Sequence, residues 1–390
     1  MNSRQRLICS LEHQQPDKVP MDLASTHLTG IHVTAYKKLC RYLGLDCEPL
    51  VFTDVIQQLV LPCEQIMNKF GFDARGLFPL CSHNWNIVSK DAGDYNEYID
   101  EWGLVHHFPK QDGVYWSLTE SPFVGITCKR ESIENHKWPL CTEPQRIKGL
   151  RALAQKYRDN GKAVVIKSIC AGLFEMSQRL RGMENFLCDL IIDKPCANLL
   201  VEKILEIKKR YWSFVIGEIG DLIDVFVEAD DYGTQQSQLI SFETYKEMFE
   251  PRLASLIDHM KSLIAQKKPP GEKGYIFFHS CGNVRPMLPG FIEMGIDILN
   301  PVHISAGCME PELLKRDFGD KITFWGGGVE TQSILPNGTV GQVIENVKRN
   351  LDVLKPGGGY VFNTVHNIQA DVPPENIVAM WETVMKYGVY

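Results

Sequence analysis

His279 and Cys281 stand two residues apart, directly after the apolar run Tyr275-Ile276-Phe277-Phe278. If that run is a strand whose geometry persists, side chains at i and i+2 project to the same side. An imidazole nitrogen and a thiolate together suit zinc, which accepts mixed nitrogen and sulfur ligands tetrahedrally. His366, just beyond the apolar run 359–362, is placed to supply a third ligand. Three protein ligands suffice for a catalytic zinc, whose fourth position stays open to water or substrate. The same His-x-Cys spacing also arises as a capped turn with a buried cysteine ahead of Gly282. A histidine at a second strand end tips the reading toward metal.

Carboxylates collect nearby in the sequence pattern. Glu228, Asp230 and Asp231 follow the apolar run 222–227. They are candidates for shaping a substrate pocket, managing protons, or supporting a metal ligand. Glu228, or a group near Asn300 to His303, is a candidate for the fourth metal position. Acidic pairs before glycine are also common turn formers, which leaves a capping role open for Asp230-Asp231-Tyr232-Gly233. Asp54, in Phe52-Thr53-Asp54-Val55, precedes a predicted helix and fits an N-cap. His303 reads as a core or rim histidine in preference to a ligand. Gly326-Gly327-Gly328 permits close backbone approach, but without a following Lys-Ser/Thr it is no phosphate-binding loop.

These residues need elements that bring them to one place. The spacing predicts a helix over 4–13 and a short strand at 19–23. Residues 51–140 show many aromatics and no sustained period, with a hairpin-rich excursion expected around Asp100-Glu101-Trp102-Gly103. From there apolar strands alternate with helices. Strands are predicted at 163–169, 222–228, 275–278, 296–299, 321–325 and 359–362. Helical segments are predicted at 182–218, 242–266, 287–294, 310–317, 340–354 and 374–387. Continuous apolar strands separated by helices imply a parallel sheet covered on both faces. The number of repeats favours a closed (β/α)8 TIM barrel with an N-terminal irregular and helical elaboration. In such barrels the catalytic groups sit on loops at the carboxyl ends of strands, which is where every candidate except Asp54 falls.

Composition sets outer bounds. The 390 residues are 44% hydrophobic and 23% charged, ordinary for a globular protein. No Ser-, Gly- or Pro-rich linker divides them, so residues 1–390 are read as one domain. A net charge of -7 argues against a broad nucleic-acid surface. No apolar run approaches the roughly 20 residues that cross a membrane. The opening Met-Asn-Ser-Arg-Gln-Arg lacks the apolar region of a signal peptide, and the expectation is a cytoplasmic protein. Twelve cysteines are scattered without a CxxC pair, and most are expected to be reduced, small buried residues.

Several segments resemble the uroporphyrinogen decarboxylase superfamily. They are His279-Ser280-Cys281-Gly282-Asn283, Ile296-Asp297-Ile298-Leu299-Asn300-Pro301, Trp325-Gly326-Gly327-Gly328, and the stretch from His366 to Pro373-Pro374-Glu375-Asn376. Leu11-Glu12-His13 with Pro16-Asp17-Lys18-Val19-Pro20, the Asp100–Gly103 turn, Phe174-Glu175 and Leu180-Arg181-Gly182-Met183 extend the likeness over nearly the whole chain. True decarboxylases carry Met-Arg-Gln-Ala-Gly-Arg after the first strand, whose arginines hold porphyrin carboxylates. Here that place reads Met21-Asp22-Leu23-Ala24-Ser25-Thr26-His27, with both arginines missing. Asp54 does sit where the decarboxylase aspartate falls.

The methyltransferase branch of that superfamily binds zinc through a His-x-Cys pair and a third ligand near the last strand. That ligand is often Cys, and the matching position here is His366. What the resemblance implies is a zinc enzyme moving a methyl group between a small O-, N- or S-methyl compound and a corrinoid (cobalamin) cofactor. The nearest match to the corrinoid signature Asp-x-His-x-x-Gly is Ser25-Thr26-His27-Leu28-Thr29-Gly30, which lacks the aspartate. The corrinoid is therefore expected on a separate partner protein that docks transiently; a homodimer is left open. The alternative is a metal-free decarboxylase of a smaller carboxylated substrate, anchored by Asp54.

Overall fold

The computed structural model describes residues 1–125 and 130–390. Its centre is a parallel sheet of seven strands in sequential order. They are β1 (Ala74–Leu77), β2 (Ala163–Lys167), β3 (Val225–Ala229), β4 (Tyr275–His279), β5 (Ile298–Asn300), β6 (Thr323–Trp325) and β7 (Tyr360–Val361). The segment around Met21 closes the ring. On one side the Asp22 amide donates to the Phe362 carbonyl (3.0 Å) and the Phe362 amide to that of Pro20 (2.8 Å). On the other, the Asp73 amide donates to the Met21 carbonyl (2.8 Å). The short strand predicted at 19–23 is thus the eighth stave of the barrel.

Strand alternation divides the buried residues into two layers. Val225, Val227, Ala229, Tyr275, Phe277, Ile298, Trp325 and Val361 pack together inside the barrel. Phe226, Ile276, Phe278, Leu299 and Phe324 face outward into the layer beneath the helices. Leu7 and Leu11 of the first helix, Ser3–Leu11, plug the inner layer. The helix begins where it does because Asn2 and Gln5 form a reciprocal capping box.

The helices Val340–Leu354 and Pro374–Tyr387 occur at their predicted bounds. The helical region expected at 182–218 is two helices, Met183–Ile192 and Lys194–Ile219, broken at Asp193, and a further helix, Leu173–Arg181, precedes it across Gly182. The helix expected at 242–266 is interrupted by a π-helical turn at Tyr245–Phe249, ahead of Pro251.

The stretch 51–140 holds more order than its aperiodic sequence predicts, although 126–129 lie outside the described residues. It contains the four-stranded antiparallel sheet of Lys90–Ala92, Tyr95–Ile99, Val105–Pro109 and Ser117–Glu120, whose second turn is the expected Asp100–Gly103. It also contains β1, which the sequence reading missed. Arg75 and Gly76 interrupt the apolar run there, and Arg75 points outward to a bidentate pair with Glu64 (3.0 and 2.9 Å).

Among the described residues eight cysteines are free, as expected, although only Cys141 of these is fully buried, and Cys40 and Cys47 form a disulfide. Among the described residues, no helix is long and apolar enough to cross a membrane.

Candidate metal centre

His279 ends β4, and because Tyr275 and Phe277 point inward, so does His279, at the carboxyl mouth of the barrel. Its ring is held by a relay across the next two strands. The Asn300 side-chain amide donates to the Trp325 carbonyl (2.8 Å), leaving its oxygen to accept from His279 Nδ1 (2.6 Å). That bond places the proton on Nδ1 and leaves the Nε2 lone pair free for a ligand, the arrangement that orients metal-binding histidines. Nε2 faces the Cys281 sulfur at 3.3 Å.

The turn carrying Cys281 is pinned on three sides. Its amide donates to Asp231 Oδ1 (2.8 Å), the Ser280 amide to the Asn300 carbonyl (2.7 Å), and the Gly282 amide to His303 Nδ1 (3.1 Å). Gly282 has φ +80°, and a Cβ there would meet the Thr234 carbonyl oxygen at 2.4 Å, so only glycine lets this turn lie against the loop after β3. His303 is therefore a rim residue that steadies the turn.

His366 enters from the loop after β7, with its ring centroid 5.6 Å from that of His279. Asn367 ties that loop down, accepting from the Gly30 amide (2.5 Å) and donating to the His27 carbonyl (3.0 Å) and to Gln57 (2.9 Å). Ligand atoms of His279, Cys281 and His366 all lie within 4.8 Å of one another. The three residues singled out in the sequence thus converge, and their donor set fits zinc.

Electrostatics agree with that fit. Burial pushes both His279 and His366 down to about 4, so both are neutral near pH 7. Burial, then the Asp231 carboxylate, holds the Cys281 thiol well above its ordinary value. Without an ion the centre is neutral; a divalent cation would draw out the thiolate that burial disfavours.

His279 and His366 open into a cavity of about 200 Å³, also lined by His27, Asp54, Gln57, Glu175, Arg179 and Asp231. Larger concavities exist elsewhere, one of 680 Å³ around Lys268 and Tyr275. Among the described residues, none of them brings three metal-ligating side chains close enough together to share an ion. Asp231 Oδ1 lies 3.7 Å from His279 Nε2, and burial raises its carboxyl to about 6. Asp54 reaches the cavity too, although it ends a short strand rather than preceding a helix, and it accepts from the Gln57 amide (2.8 Å).

Two expected pocket residues lie elsewhere. Glu228 falls on the outward face of β3, where it pairs with buried Lys208 (2.6 Å) and accepts from Ser168 (2.8 Å) and the Trp212 indole (2.5 Å). It shapes no pocket and is not poised to fill a fourth metal position. Asp230 accepts from the Phe174 and Glu175 amides (2.9 and 2.8 Å) and from the Tyr232 hydroxyl (2.7 Å). It therefore caps the helix Leu173–Arg181 from the end of the neighbouring strand and sets where Glu175 and Arg179 stand.

The sequence reading passed over His27, Glu175, Arg179 and Gln57. His27 follows the closing segment at Met21, so reading that rim position like the others would have found it. Its Nδ1 is buried without a hydrogen-bond partner among the described residues. Replacing Asn300 by Leu is expected to weaken zinc binding about 10- to 100-fold while the fold persists. Competition with a chromophoric chelator measures this, and unchanged affinity would refute the relay.

Comparison with known proteins places this architecture. The chain resembles a methyltransferase from Methanosarcina mazei at a TM-score of 0.60 and 17% identity, covering 99% of each chain. A mutant β-glucosidase derived from a hyperthermophilic tetrameric structure follows at 0.44 and 10%, covering 96% of each. Xylanase 10B from Thermotoga maritima follows at 0.38 and 8%, covering 62% of this chain and 80% of that one. The first likeness shows the fold, and the other two carry no argument. No curated protein matches the sequence. The sequence pattern of Uroporphyrinogen decarboxylase (URO-D) matches residues 130–387, most of the barrel and both strand ends that carry the three candidate ligands, and the chain belongs to that family.

Proposed function

We propose that the chain is a zinc-dependent methyltransferase, moving a methyl group between a small O-, N- or S-methyl compound and a corrinoid carried on a separate protein. The observation that carries this reading is the convergence of His279, Cys281 and His366 within 4.8 Å at the barrel mouth. A zinc held there supplies Lewis-acid activation of a thiol or of a methyl donor's heteroatom. The chain's own residues do the rest. Asn300 fixes the His279 tautomer, and the Asp231 carboxylate, beside His279, is placed to hold or release a proton near neutral pH. The enclosing walls from Asp54 to Arg179 limit water around the reacting atoms.

Elemental analysis of protein purified without chelators tests the reading. One zinc per chain is expected in the wild type and close to none in Cys281→Ser. The zinc-loaded protein is then expected to demethylate free methylcobalamin, read from its absorbance, when offered a small thiol. Absence of zinc from both proteins would overturn the proposal. A second reading, a metal-free decarboxylase, draws on the place of Asp54 in the same cavity beside His27 and Arg179. It requires activity that survives Cys281→Ser and is lost in Asp54→Asn.

A further inference from the structure

Three residues of the cavity wall, Asp54, Ile56 and Gln57, belong to a loop bounded by Cys47 and Cys63. Cys47 is bonded to Cys40, seven residues before it. Cys63 is free, yet its sulfur lies 3.6 Å from that of Cys47, close to van der Waals contact. The backbone holds this trio together. Cys40 sits in the helix Val33–Leu43. Tyr36 of the same helix accepts from the Cys63 amide at 2.9 Å. Cys47 and Cys63 also border an open cavity of about 690 Å³ lined by Tyr36, Glu48, Arg75 and Lys156, wide enough to admit a small thiol.

We propose that Cys40, Cys47 and Cys63 form a thiol–disulfide exchange site that sets the state of the cavity-lining loop. The Cys63 thiolate attacks the Cys47 sulfur, and a Cys47–Cys63 bond forms as the Cys40–Cys47 bond breaks. The electron pair leaves on the Cys40 sulfur, which takes up the proton that Cys63 gave away. One disulfide and one thiol stand on each side, so no outside oxidant or reductant is needed. In the first isomer the bond closes a short turn with a sequence separation of 7, outside the cavity wall. In the second it closes the segment with a separation of 16, containing Asp54, Ile56 and Gln57. Closure entropy changes only slowly with ring length, so packing, including what fills the cavity, selects between the isomers.

The inference uses none of the three metal ligands and stands independently of the proposed reaction. Full-length wild-type protein is equilibrated in a glutathione redox buffer, quenched with acid, labelled with N-ethylmaleimide and mapped by peptide mass spectrometry. Both isomers are expected, each above about one tenth of the chains: Cys40–Cys47 with labelled Cys63, and Cys47–Cys63 with labelled Cys40. Cys40→Ser is expected to convert fully to the Cys47–Cys63 bond, and Cys63→Ser to retain only Cys40–Cys47. Finding only Cys40–Cys47 in the equilibrated wild type would overturn the proposal, even if Cys40→Ser fails to fold. So would a second zinc per chain that survives Cys281→Ser and shields all three sulfurs from label.

Discussion

Lys208→Met is expected to destabilise the protein by about 3–5 kcal/mol, the cost of leaving a buried charge without its partner. Lys208 is fully buried in the long helix Lys194–Ile219, and its ammonium meets Glu228 at 2.6 Å and Ser168 at 3.0 Å. Methionine fills similar space but leaves the Glu228 carboxylate in an apolar layer with, among the described residues, only Ser168 and the Trp212 indole donating to it. A urea titration should show a lower midpoint with an unchanged slope. The double variant Lys208→Met/Glu228→Gln should recover most of the loss, because the uncompensated charge is then gone. A single variant as stable as wild type would show that the pair contributes nothing to holding this helix on the sheet.

The second large effect is on metal affinity. Zinc binding is expected to strengthen about tenfold for each pH unit between about 6 and 8, as one proton leaves per ion bound. The sign follows from the three ligands. Cys281 is held well above its ordinary value and carries its proton across this range, so binding must expel it. His279 and His366, both pushed down to about 4, are already neutral and release nothing. Below about pH 6 Asp231, raised to about 6 by burial, adds a second proton and steepens the dependence. Chelator competition at several pH values reads the slope directly. A flat profile above pH 6.5 would mean that Cys281 does not bind as a thiolate.

How much of this was legible in the sequence depends on which rule each residue obeyed. The three candidate ligands could be picked out together because His279 and Cys281 follow an apolar strand and His366 follows another, and the barrel gathers strand ends. Glu228 was misplaced because it was grouped with Asp230 and Asp231 as simply following an apolar run. Counting by twos along β3 from the inward Val225 and Val227 sends Glu228 outward, toward Lys208. β1 escaped notice because Arg75 satisfies its charge on Glu64 outside the barrel, a compensation invisible to hydrophobic patterning. Asp230 shows a different limit: its carboxylate serves a helix more than fifty residues earlier, and no local pattern announces that. The nearness of Cys63 to Cys47 likewise depends on how a helix and a loop pack.

Glu175 and Arg179, joined by an ion pair at 2.6 Å, border two spaces at once. On one side is the 200 Å³ chamber at His279 and His366, and on the other an outer groove of about 690 Å³ running past Leu118, Val124 and Met183. The pair is thus a party wall: replacing either side chain alters the chamber and the groove together, so the two spaces cannot be reshaped independently.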